Sequence, residues 1–174
     1  MAKFDLNDRE FSDFKEQTDF FPRSNTKYKV DVLSFEKLET DDRVGWEVKF
    51  KILTVKNIKK HELFEPPAEV GETRGLWLCR VQPVKFKVKD DMQWLRSLLA
   101  AMTGEEHTPE FDAAGALEIF ENMDDEDLQE TLAPIEIYVD SKVSKPKEVE
   151  DEDTGEMVMR QFVNPKYRFS YIED

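Results

Sequence analysis

The chain has 174 residues, 39% hydrophobic and 37% charged, with a net charge of −14 and 13 Phe, 4 Tyr and 3 Trp. That length suits one domain with a real core, and so many rings exclude an acidic disordered chain. The lone cysteine, Cys79, excludes an intramolecular disulfide and fits a reducing, cytoplasm-like compartment. No apolar run approaches the roughly 20 residues of a membrane span, so no membrane partner is expected. The opening MAKFDLNDRE carries no apolar stretch after its lysine, so no secretory leader is expected either.

The net charge argues against a nucleic-acid partner, but its distribution argues the other way. Residues 105–133 hold eleven acids and no Lys or Arg, whereas residues 21–103 sum to +4. A mildly basic body carries one strongly acidic insert.

Residues 1–26 read as an arm that packs by its spaced rings, Phe4, Phe11, Phe14, Phe20 and Phe21, and Pro22 with Ser24-Asn25-Thr26 marks entry to the body. Tyr28, Val30 and Val32 then alternate with charged residues, as do Trp46, Val48, Phe50 and Ile52, which predicts two half-buried strands joined as a hairpin through Glu39–Asp42. Residues 57–73, with Pro66-Pro67 and Gly71, predict a long loop, and residues 74–82 a third strand. Met92, Leu95, Leu98, Leu99 and Met102 fall on one stripe, with Asp90 and Gln93 as a capping box and Gly104 as the stop, predicting a helix over 90–103. The acidic insert predicts two short helical pieces. Ile135–Asp140 alternates cleanly, Asp153-Thr154-Gly155 marks a turn, and a last strand from Met157 to about Ile172 is expected to be kinked at Asn164-Pro165. The expected fold is therefore mainly β, with five strands, a helix between the third and fourth, and a partly helical acidic insert. That is the layout of a five-stranded OB-fold barrel over residues 27–172, with residues 173–174 a short acidic end.

Nothing in the chain points to an enzyme, and no cofactor or metal is expected. His61 and His107 lie in predicted loops without ligand spacing, Cys79 sits in an apolar run, and the glycines form no phosphate loop. Counted from Asp151, an EF-hand register puts Gly155 and Phe162 at the wrong places. What the strands do carry is cations in phase with apolar positions: Lys29, Lys49, Lys51, Arg74, Arg80, Lys142, Arg160 and Arg168, with Lys85, Lys87 and Lys166 beside them. Binding to single-stranded nucleic acid needs such cations together with rings on which bases stack, and Trp77, Tyr138, Phe162 and Tyr167 are the candidate rings. Each lysine taken singly reads first as a solubilising group on an exposed face, and only the set as a whole balances the two readings; Trp46 reads as core. Strand three poses a conflict: with Leu76 and Leu78 inward, Trp77 faces out and Arg74 and Arg80 do not.

The segments KYKVDVLSFEKLE, GWEVKFKILTV, GLWLCRV, DDMQWLRSLLAAMTG, LAPIEIYVDSKV and NPKYRFSYI together resemble the small phage-encoded single-stranded DNA-binding proteins, over roughly residues 27–170. The resemblance implies an OB-fold and binding of single strands without base preference, in the cytoplasm of a bacterial host. It also implies a role in replication or recombination, with phage or host replication proteins as partners; homo-oligomerisation is left open. The stub Tyr171-Ile172-Glu173-Asp174 departs from the long acidic tail of many such proteins. The rival reading is an acidic interaction module, such as a DNA mimic that blocks a host nucleic-acid enzyme. A mimic spreads acids along strand faces, whereas here they gather in one insert, which favours DNA binding.

Overall fold

The computed structural model describes residues 19–81 and 93–173. Strands β1 (Asn25–Glu39), β2 (Arg43–Lys59), β3 (Thr73–Val81), β4 (Ile135–Val143) and β7 (Val163–Tyr171) form one antiparallel sheet in the order β3-β2-β1-β4-β7. A separate hairpin, β5 (Lys147–Glu150) with β6 (Met157–Arg160), interrupts the passage from β4 to β7. Between β3 and β4 come helices α1 (Gln93–Thr103), α2 (Ala113–Glu121) and α3 (Asp125–Thr131). No helix among the described residues is long and apolar enough to cross a membrane. Phe4, Phe11 and Phe14 of the expected arm, Lys85, Lys87 and the expected helix start at Asp90 lie outside the described residues.

Period-two alternation sets the two faces of the sheet. Register places Val30, Val32, Trp46, Val48, Phe50, Ile52, Leu76, Leu78, Ile135, Ile137, Val139 and Phe169 on one face, all buried. This inner face is strongly curled. Flat, β2 and β7 would lie about 14 Å apart, three strand spacings, yet the rings of Phe50 on β2 and Phe169 on β7 stack with centroids 5.9 Å apart. No ladder among the described residues joins β3 to β7. The segment before β1 lies along β3 instead, and a helix lies against β7. Asp19 and Phe20 pair with β3 at Gly75, whose N–H donates to the Asp19 carbonyl at 2.8 Å, and Phe21 packs on Tyr28 and Phe50. On the other side α1 lies against β7, and the buried Ser97 hydroxyl both donates to the Phe169 carbonyl (3.1 Å) and accepts from its N–H (3.0 Å).

Two sequence expectations are corrected. The segment after Lys56 is not yet loop: β2 runs on to Lys59, held by pairing with the start of β1. The final strand does not kink at Asn164-Pro165, since Pro165 sits in register opposite Ser141 and the break falls at 161–162, between β6 and β7. Phe169 turns its N–H and carbonyl away from β4 toward Ser97. Pro165, an even number of residues earlier, shares that outward direction, so its missing N–H costs the ladder nothing. The helix ends as expected, Gly104 taking the left-handed conformation (φ 73°) that favours glycine.

Gly45 has a steric role. A Cβ built there would overlap the indole of Trp77, which lies across it. Gly45→Ala is therefore expected to cost about 1–3 kcal/mol through overpacking, read as a lower urea midpoint with a shift in tryptophan emission. An unchanged midpoint would show that the indole has room to move aside.

Candidate nucleic-acid interface

The outer face of the sheet is polar, and register aligns its side chains into rows that cross the strands. The most cationic row runs Lys56 (β2), Lys27 (β1), Tyr138 (β4), Arg168 (β7), each directly opposite the next. Lys56 and Arg168 are exposed, and Lys27 and Tyr138 half-buried. The Lys27 ammonium sits over the Tyr138 ring, 5.6 Å from its centroid, a cation–π arrangement. Flanking rows carry Thr54, Lys29, Glu136 and Ser170 on one side and Asn25, Asp140 and Lys166 on the other. The row spans about 14 Å at ordinary strand spacing.

A short polar chain holds the row together. The Tyr138 hydroxyl donates to Asn25 Oδ1 at 2.7 Å, and Asn25 Nδ2 donates to Asp140 Oδ1 at 3.0 Å. The other Asp140 oxygen lies 3.5 Å from an Arg168 guanidinium nitrogen. Asn25 itself is buried, at 6% exposure.

The twelve residues singled out from the sequence fall into separate groups. Lys29, Lys49, Lys51, Trp77, Tyr138, Lys142 and Arg168 share the outer face. Lys51 stands opposite Asp31 and Lys49 lies 3.8 Å from the buried Glu47, so acids temper that part of the face. The strand-three conflict resolves for Trp77. Leu76 and Leu78 point inward, Trp77 is half-buried on the outer face, and Arg74 and Arg80 take inner-face parity opposite Phe50 and Val44. Arg74 is bound to Asp19 at 2.8 Å and Glu72 at 2.7 Å, and its guanidinium holds the Glu72 carboxyl below the usual range. Arg80 donates to the Cys79 carbonyl at 2.7 Å. Tyr167 lies on the inner face opposite Val139, packed against the core, where burial pushes its hydroxyl up from the ordinary value. With Arg74 it lines a cleft of about 670 Å³ at the seam, together with Phe20, Arg23 and Pro67. Arg160 and Phe162 belong to the hairpin and its base, both exposed, with Arg160 3.4 Å from Asp151.

Lys27, Lys56 and Asn25 complete the site and are not among those twelve. Lys27 continues the alternation of Lys29 by one step, a signal within reach. Lys56 falls at the margin of the predicted loop, and Asn25 reads only as part of a polar turn.

Helices α2 and α3 of the acidic insert sit away from this row, whereas Glu105 and Glu106 at its start line a pocket with Glu136 and Ser170 of a flanking row. Helix α2 buries Ala113, Ala116, Leu117 and Phe120 in the core and brings Phe120 to Phe35. Glu121 accepts from the Trp46 indole N–H at 3.0 Å and from Lys37 at 3.1 Å, while Gln129 of α3 donates to the Leu33 carbonyl at 2.9 Å. These anchors fix α2 and α3 on the inner side of β1 and β2, across the sheet from Lys27 and Tyr138. A scan of protein-family models returned no match to the chain, and neither did comparison with curated proteins or with solved structures.

Proposed function

We propose that this protein binds single-stranded DNA through the outer face of its sheet, without base preference and without chemistry, as a protector of phage replication or recombination intermediates. What carries the reading is the row Lys56–Lys27–Tyr138–Arg168: three cations aligned across four strands, with a ring among them for a base. The strand order supports it too. A sheet ordered β3-β2-β1-β4-β7, with a helix between its third and fourth long strands, fits the connectivity of an OB-fold. Barrels of that kind are partly open, and here the seam falls between β3 and β7. The carboxylates of α2 and α3 lie across the sheet from the row, and at physiological salt their field fades over about 8 Å. They therefore compete weakly with phosphates for these cations.

The test is fluorescence anisotropy of a labelled oligo-dT titrated with the protein at low and moderate salt, beside a duplex of equal length. Saturable binding of the single strand that weakens with salt, with the duplex much weaker, is expected. No single-strand binding at low salt would overturn the reading and leave the acidic interaction module in its place.

A further inference from the structure

We propose that Asn25 is the positioning residue of the base platform: it fixes the Tyr138 ring and also takes up the hydroxyl proton with which that platform could read a base. The inference rests on the single-strand reading of the outer face and adds a cause for base tolerance.

Asp140 offers only acceptors when ionised, so the Asn25 nitrogen must face it and the Asn25 oxygen must face Tyr138. The phenol has one proton, and at 2.7 Å that proton goes to Asn25. A second tether holds Asp140, which Arg168 approaches at 3.5 Å. The ring is thus held by its hydroxyl end, while the Lys27 ammonium over it marks a face that accepts a partner. A base that displaces the ammonium from that face meets π surface, which every base satisfies equally. A freed hydroxyl could donate to ring nitrogens or carbonyls, which differ from base to base.

The test is a double-mutant cycle of Asn25→Ala and Tyr138→Phe, read as affinity for dT, dA and dC homopolymers of about 15 nucleotides, within the site sizes such folds cover. Wild type should bind the three within about two-fold of one another. Each single variant should lose about 3- to 10-fold, the worth of one hydrogen bond, and the double variant no more than the larger single loss. Asn25→Ala should also widen the spread among homopolymers, and only in the presence of the Tyr138 hydroxyl. Tyr138→Phe probes the same bond from its other end, so its own loss of affinity tests the assignment even if Asn25→Ala unfolds. Tyr138→Phe with wild-type affinity, additive losses, or an unchanged spread in Asn25→Ala would each overturn the assignment. Wild type that binds none of the three homopolymers would overturn the proposed function itself.

Discussion

Replacing Lys27, Lys56 and Arg168 together with glutamine is expected to lower affinity for oligo-dT on the order of 10²-fold at low salt and to flatten its salt dependence. Each phosphate contact on a single strand contributes about 0.7 to the slope of log affinity against log salt, so losing three removes about 2. These three cations stand in one row on either side of Tyr138. The same substitution at Arg74 and Arg80 should leave the slope unchanged, because they take inner-face parity and Arg74 is already bound to Asp19 and Glu72. Lys49→Gln with Lys51→Gln should have a smaller effect than the row, given Glu47 and Asp31 beside them. A full slope in the triple variant would move the site off this face.

Ser97→Ala is expected to destabilise the protein by about 2–4 kcal/mol while leaving oligo-dT affinity near wild type. One hydroxyl satisfies both the N–H and the carbonyl of Phe169, on a residue only 6% exposed. Deleting it strands two buried backbone groups, each costing about 1–3 kcal/mol when left without a partner. Urea unfolding measures the loss, and Ser97→Thr, which keeps the hydroxyl, should recover most of it. A loss under about 0.5 kcal/mol would mean that water replaces the hydroxyl at the seam.

The elements that alternation or helical period marks strongly were legible from the sequence. Trp46–Ile52 and Ile135–Val139 alternate because one face is buried, and the stripe through Leu95, Leu98 and Leu99 gives α1. The end of β2 was not legible: Asn57-Ile58-Lys59 is exposed and without alternation, and only pairing with β1 keeps it extended. The kink expected at Pro165 failed for a related reason, since a sequence does not show which strand is an edge or which way a given N–H points. The site was legible as a set of types and not as a constellation. Lys29 and Tyr138 could be named from their own strands, but Lys56, Lys27 and Arg168 meet Tyr138 only through the register of four strands. Tyr167 and Arg74 look equally suitable in sequence, and parity alone sends them to the other face.

The stacked pair Phe50 and Phe169 has a mechanical meaning as well. A sheet closed by hydrogen bonds has its circumference set by a count of residues, whereas the curl of this open sheet is held from within by two rings and Phe21. Its curvature follows side-chain volume. A smaller side chain at either position leaves a cavity that the curl closes only in part. The packing of the core and the curl of the outer face that carries Lys56 and Arg168 are thereby one and the same adjustment.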